Sequence, residues 1–68
     1  MSMTFNKLVH FINASRRIGR KIFTRKLFYH EAQIPDEKRE RANYSNAISS
    51  FLKSGVIRRY GSHAYVIA

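Results

Sequence analysis

The sequence has no cysteine and no tryptophan, and it holds only one proline, three glycines and four carboxylate side chains. Without cysteine, neither a disulfide nor a thiolate zinc site is available to stabilise a small fold, so an apolar core must do so. The three histidines, His10, His30 and His63, lack a metal-ligand spacing such as H-x-x-x-H. We therefore expect no metal and no other cofactor.

Long apolar runs are also absent, because His10, Asn13 and Arg25 interrupt the longest ones. A bilayer span needs roughly 18 apolar residues, and the segment after the first methionine is too polar for the apolar region of a secretory signal. We expect a cytoplasmic chain without a membrane partner, associated with the nucleoid if its source is a prokaryote.

Catalytic patterns are missing as well. The four acids all lie between residues 31 and 40, and the chain has neither a nucleophile motif nor a Gly-rich phosphate loop. A chain of this length buries only ~60% of the surface that its unfolded form exposes, which leaves little room for a deep substrate cavity. The sequence therefore predicts a protein that is not an enzyme and forms one small domain over residues 1–68.

Positive charge, in contrast, is abundant: 13 lysines and arginines against four acids give a formal charge of +9. Residues 1–30 contain no acid, and the chain is again free of acids from Arg41 to its last residue. A positive field with one negative island is suited to a phosphate backbone or an anionic membrane. The alternative is that the charge only keeps the domain in solution, although ~2 to 8 charges suffice for that.

The first helix is predicted over residues 4–14, where apolar residues recur at i, i+3, i+4 and i+7 from Phe5 to Ile12. Ser2 or Thr4 would cap it. The five phenylalanines are expected in the core rather than as platforms for stacking bases: Phe5, Phe11, Phe23, Phe28 and Phe51.

After this helix the pattern is ambiguous. Gly19 interrupts it, and the spacing of Ile18, Ile22 and Phe23 fits either a continued helix or a short strand. These three residues and Leu27 are assigned to the core, which leaves too few apolar side chains for binding a membrane surface.

A second helix is predicted over residues 24–32, with Thr24 as its N-cap. The segment 35–37, a proline followed by two acids, is typical of a helix N-terminus and predicts a short helical turn there. Glu37 would pair with Arg41 at i+4.

The third helix is predicted over residues 43–54, with Asn43 or Ser45 as its N-cap and Gly55 as its stop. At ~100° per residue its side chains separate onto two opposite faces. The apolar face consists of Tyr44, Ala47, Ile48, Phe51 and Leu52, and the polar face includes Asn43, Asn46, Ser50 and Lys53. The polar face is either solvated or binds a partner, and its Ser and Asn residues, which are mediocre helix formers, favour a partner.

The C-terminal residues 56–67 predict a β-hairpin, because two β-rich runs flank a short connection that contains Gly61. Tyr60 and Tyr65 lie on opposite strands, and we expect them to form a cross-strand pair with their hydroxyls in water.

This order of elements resembles that of a winged helix-turn-helix domain, and the resemblance is most specific over residues 45–67. There SNAISSFLKSGVIRR is similar to the recognition helix of the family, followed by glycine, two aliphatic residues and a basic strand. The resemblance implies an α+β fold with three helices and a C-terminal hairpin as the wing, and it implies binding to double-stranded DNA.

The resemblance also implies a role for each group of polar residues. The recognition helix would read bases in the major groove with Asn43, Asn46, Ser49, Ser50 and Lys53. The wing would reach the backbone or the minor groove with Arg58, Arg59, Ser62 and His63. The start of the second helix would hold phosphates with Thr24, Arg25 and Lys26. A further basic cluster, Arg16, Arg17, Arg20 and Lys21, would add sequence-independent affinity.

One feature departs from the family. About eleven residues, 33–43, separate the predicted second and third helices, whereas the usual turn has three or four. Either the third helix begins near Asp36, or the segment is an interaction surface in which Asp36, Glu37 and Glu40 bind a protein partner. An acidic insert beside a DNA-reading helix must point away from the DNA or be neutralised.

The leading functional prediction is therefore a small DNA-binding protein such as a transcriptional regulator, and its compactness fits a phage or another mobile element. Two alternatives stay open. One is a protein-interaction module that inhibits or recruits a nucleic-acid-processing machine, and the other is RNA binding through residues 16–26. The chain would act as a monomer or as a weak homodimer through its first helix.

Overall fold

A computed structural model describes residues 3–68 as three helices and three strands. In chain order the elements are α1 Met3–Arg17, β1 Ile22–Thr24, α2 Arg25–Ala32, α3 Lys38–Ser54, β2 Ile57–Tyr60 and β3 Ala64–Ile67. The predicted α+β class with three helices is thus confirmed. No helix within residues 3–68 is long and apolar enough to cross a membrane.

The capping predictions for α1 have different outcomes. Ser2 lies outside the described residues. Thr4 lies inside the helix, where it is buried and its hydroxyl donates a hydrogen bond to Glu40 of α3 at 2.5 Å. Thr4 therefore links two helices.

The ambiguous segment after α1 is a turn followed by a strand. Gly19 has a positive φ of 77°, a conformation that glycine adopts without steric cost. The chain then reverses, and β1 pairs antiparallel with β3. The short-strand alternative is the correct one.

The second helix has the predicted cap and end. The Thr24 hydroxyl accepts a hydrogen bond from the Leu27 amide at 3.2 Å, and the helix stops at Gln33 in the left-handed conformation.

The predicted start of the third helix at Asn43 is wrong, as are the N-caps Asn43 and Ser45. The helix begins at Lys38 with Glu37 as its N-cap, so Asn43 and Ser45 are interior residues. The alternative start near Asp36 is the correct one, because the proline and acids before Lys38 favour a helix N-terminus. The connection from α2 to α3 therefore comprises residues 33–37 and is shorter than the predicted one. Gly55 ends α3 as predicted, and its backbone has a φ of 79°.

The three strands form one antiparallel sheet in the order β1-β3-β2, and the C-terminal hairpin is confirmed. The cross-strand pairing of Tyr60 with Tyr65 is wrong. The hairpin turn connects Tyr60 to Ala64, so Tyr60 pairs with Ala64 and Tyr65 pairs with Arg59.

Aromatic contacts between the helices and the sheet form much of the core. The Phe11 ring lies 5.3 Å from Phe23 and 5.2 Å from Phe28, and Phe28 stacks on Tyr44 at 5.8 Å. Four of the five phenylalanines are buried, and Phe5 is half-buried against Phe51. The core assignment of the phenylalanines is confirmed.

Two apolar residues assigned to the core are instead exposed. Ile18 is 69% exposed because it lies in the turn after α1, and Ile22 is 44% exposed. Since side chains alternate along a strand, the burial of Phe23 at 1% exposure turns Ile22 outward.

Candidate nucleic-acid interface

The solvent face of α3 is a long polar surface. The helix spans 17 residues, about 25 Å, and Tyr44, Ala47, Ile48 and Phe51 hold its opposite side in the core. The exposed residues on the solvent side are Lys38, Arg39, Ala42, Ser45, Asn46, Ser49, Ser50 and Lys53. Four of the five predicted base-reading residues are in this set, and Asn43 is half-buried at its border.

Lys38 and Arg39 belong to this face and were not among the predicted site residues. They were missed because the helix was predicted to start five residues later. The signal that finds them is the proline-acid segment 35–37, which marks the true N-terminus. With Lys53 at the other end, cations stand at both ends of the α3 face.

Three of the four acids are held by neighbouring residues of the chain. Glu31 accepts two hydrogen bonds from the Arg20 guanidinium, at 2.7 and 3.0 Å. Asp36 accepts a bond from Arg25 at 2.9 Å and lies 3.5 Å from Arg41. Glu40, the only acid within α3, accepts from Thr4 of α1. Glu31 and Asp36 are thus paired with arginine charges, whereas the hydrogen bond from Thr4 holds Glu40 without offsetting its charge.

The candidate protein-binding acids thus differ in their surroundings. Asp36 and Glu40 are engaged within the chain, whereas Glu37 is exposed at the N-cap of α3 and makes no side-chain capping bond. The side chain of Arg41 lies against Asp36 and not against Glu37, which had been its predicted partner.

The two hairpin arginines point to opposite sides of the sheet, since neighbouring residues of a strand alternate. Arg59 lies in register with Tyr65 and Phe23 on the side that packs on the helices, and its guanidinium is 6.0 Å from the Tyr65 ring centre. Arg58 lies in register with Val66 on the other side. Only Arg59 therefore shares the side of the sheet on which the helices lie.

The hairpin turn lies beside the start of α2. Thr24 faces Ala64 in the β1–β3 pair, and a cleft of about 440 Å³ is lined by Thr24, Arg25, Lys26 and His63. Ser62 is exposed in the same turn. The sheet thus brings together the start of α2 and the hairpin turn, two groups of residues that the sequence separately predicted to contact DNA.

Within this cleft, Arg25 and Thr24 already have partners in the chain. The hydrogen bond to Asp36 raises the pKa of Arg25, and the guanidinium lies 5.2 Å from the Tyr29 ring centre. Burial in turn raises the pKa of the Tyr29 hydroxyl. The Thr24 hydroxyl caps α2. Lys26 and His63 are the exposed polar side chains that face the cleft.

The cluster of Arg16, Arg17, Arg20 and Lys21 lies at a different end of the molecule. It adjoins the C-terminal end of β3, where the Ile67 amide donates a hydrogen bond to the Lys21 carbonyl at 2.7 Å. The hairpin turn lies at the N-terminal end of β3. α1 contacts α3 through Thr4 and Phe5, and Arg16 is more than three helical turns further along α1, roughly 16–18 Å. Arg20 is bound to Glu31, and Arg16 donates to the Ala68 carbonyl at 3.2 Å.

The structure thus separates the predicted DNA-binding residues into three regions. The first contains the α3 face, Arg59 and the cleft at the start of α2, the second is the cluster at residues 16–21, and the third is Arg58 on the other side of the sheet. No cluster of His, Asp or Glu within residues 3–68 has the arrangement of a metal site. Comparison with family models, curated proteins and solved structures finds no match to this chain.

Proposed function

We propose that this protein is a small, non-enzymatic DNA-binding factor of the winged helix-turn-helix class, which places α3 in the major groove of a specific site. The order α1-β1-α2-α3-β2-β3, with β2 and β3 as a C-terminal hairpin, supports the class. A role in transcription is the simplest use of a site-binding protein without a catalytic centre.

The observation that carries this proposal is the absence of any carboxylate from the solvent face of α3. Glu40 lies on the α1 side of the helix, where it is bound to Thr4, and Asp36 is held by Arg25 before the helix begins. Glu37 is exposed at the N-cap and thus precedes the face, which starts at Lys38. The face that remains has amide and hydroxyl groups between cations. Amides pair with adenine edges and hydroxyls with several base edges, while cations contact phosphates.

Each region has a distinct role in this proposal. The bases in the major groove are read by Asn46, Ser49 and Ser50. The phosphates beside the groove are contacted by Lys38, Arg39 and Lys53. Arg59 reaches the backbone or minor groove from the hairpin. Lys26 and His63 contact phosphates at the start of α2.

The direct test is a selection of bound duplexes from a random pool, followed by titration of the selected and a scrambled duplex. Asn46→Ala should remove the sequence preference, with a loss of ~1–3 kcal/mol on the selected duplex alone. Arg59→Ala should weaken both duplexes to a similar extent. Failure of the native protein to shift any duplex at low salt would contradict the proposal.

The same titrations separate the alternatives. Competition by structured RNA at equal or lower concentration than duplex DNA would favour RNA binding. A protein partner that co-purifies after nuclease treatment and is lost in Glu37→Lys would favour the interaction-module alternative. Glu37 is the informative acid, because it is exposed and its reversal breaks no ion pair in the described chain.

A further inference from the structure

The sheet has one side against the helices and one open side. Phe23, Ile57 and Ile67 point into the core, so their neighbours on each strand point outward. The register places the outward residues in two rows across the three strands. We define the open sheet face by these rows, which are Ile22, Val66 and Arg58, and Thr24, Ala64 and Tyr60.

This open sheet face is unusually apolar for a solvated surface. Antiparallel sheets with one wet side normally alternate between apolar residues inside and polar residues outside. Here Ile22 is 44% and Tyr60 56% exposed, and Val66 and Ala64 are half-buried between them. Contiguous exposed apolar side chains of this kind mark interaction sites.

The charge around the open sheet face is positive. Arg58, the charged residue of this face, is exposed and closes one row. Glu31, Asp36 and Glu40 are held elsewhere in the chain, by Arg20, by Arg25 and by Thr4. A second copy of this chain, which also carries a charge of +9, would oppose cation to cation.

We propose that the open sheet face binds an acidic amphipathic helix of another protein. Its apolar side would cover Ile22, Val66 and Tyr60, and its carboxylates would pair with Arg58. Three strands spaced about 4.8 Å apart make a surface about 10 Å wide, which matches the diameter of one helix. The small area favours a weak, reversible complex.

The open sheet face shares with the proposed DNA interface only Thr24, which also lines the cleft at the start of α2. Arg58 belongs to the open side, whereas Arg59 and the helices lie on the other side of the sheet. Binding of the peptide and of DNA are therefore expected to be compatible, and each proposal fails or stands without the other.

The test uses three synthetic peptides of about 18 residues, long enough for five helical turns. The first is amphipathic with Glu on its polar side, the second has the same composition in scrambled order, and the third carries Lys in place of Glu. Titration into the ¹⁵N-labelled full chain is followed by amide chemical shifts. We expect saturable shifts at Ile22, Tyr60 and Val66 with the first peptide, and at least about tenfold weaker binding of the other two.

Ile22→Glu places a charge of the same sign as the peptide at the β1 side of the face, and should weaken binding of the first peptide about tenfold or more. Met3→Glu is the matched control, because Met3 is also an exposed apolar residue, 71%, and lies on α1. Tyr60→Ser, at an exposed site, gives a second variant if Ile22→Glu loses the dispersed amide spectrum of the folded chain. Duplex binding by the folded variants should stay unchanged.

Three outcomes would overturn the proposal. Equal affinity for the scrambled acidic peptide would show attraction by charge alone, and shifts confined to α3 would place the peptide on the other surface. Binding to anionic lipid vesicles with no saturable peptide binding would assign the open sheet face to a membrane.

Discussion

Tyr44 carries an unsatisfied hydroxyl in the core. Its side chain is 7% exposed and stacks on Phe28, and its Oη has no hydrogen-bond partner within the described chain. Burial raises the pKa of this hydroxyl above its ordinary value of 10.0. A group whose pKa is higher in the folded state than in the unfolded state stabilises the fold at pH values below the unfolded pKa. This stabilisation decreases as the pH rises from the unfolded pKa to the folded pKa.

Tyr44→Phe is therefore expected to stabilise the fold. It keeps the ring and removes a buried polar group, which should raise the free energy of unfolding by about 1 kcal/mol in urea denaturation. The loss of stability above pH 10 should also become shallower than in the native chain. The control is Tyr60→Phe, whose hydroxyl is on an exposed residue and whose effect should stay within ~0.5 kcal/mol. A destabilised Tyr44→Phe would mean that the hydroxyl has a partner in solution.

At the scale of elements, α2 and α3 begin with caps of different quality. The Thr24 hydroxyl accepts from the Leu27 amide at 3.2 Å, whereas Glu37 has the extended backbone of an N-cap but no side-chain bond. Glutamate is one methylene too long for the short reach to the first-turn amides, which Asp, Asn, Ser and Thr make well. α3 therefore starts with amides that its own N-cap leaves unpaired.

Glu37→Asp should supply the missing cap without changing the charge. We expect the thermal midpoint to rise by a few degrees, equivalent to ~0.5–1 kcal/mol. Thr24→Ala is the reciprocal variant and should lose about 1 kcal/mol. If both variants leave the midpoint unchanged, side-chain capping does not limit the stability of these two helices.

The organisation of these elements was partly predictable. Phe5, Leu8 and Ile12 follow a helical period, and Gly55 follows the last apolar residue of α3, so local signals were sufficient there. The start of α3 was misplaced because Asn43 and Ser45 are good caps locally. The helix instead begins at Lys38, directly after the proline and two acids of residues 35–37, which favour a helix N-terminus.

At the scale of the whole molecule, the proposed DNA contact uses the cations of the α3 face and not those of the cluster at residues 16–21. Lys53 stands on the α3 face, whereas Arg17 lies at the far end of α1, distant from both α3 and the hairpin turn. Each phosphate that a cation neutralises contributes ~0.9 to the slope of log K against log salt concentration. The two regions should therefore differ in their effect on this slope.

Lys53→Ala is expected to reduce the salt slope of duplex binding by about 0.9, with weaker binding to every sequence. Arg17→Ala removes the same charge and should leave the slope unchanged within error. Anisotropy titrations at several salt concentrations measure both. Equal loss of slope in the two variants would place the 16–21 cluster on the DNA and enlarge the interface.

The sequence by itself determined the place of the phenylalanines in the core, the α+β class, the hairpin and the excess of positive charge, because periodicity, glycine position and residue counts are local properties. Only the tertiary structure decided where the charges act. Glu31 meets Arg20 and Glu40 meets Thr4 across 11 and 36 residues of sequence, distances at which no local pattern fixes a contact. Strand pairing likewise decided that Arg58 and Arg59, which are adjacent in sequence, lie on opposite sides of the sheet. It also decided that Ile22 faces solvent, because its neighbour Phe23 points into the core.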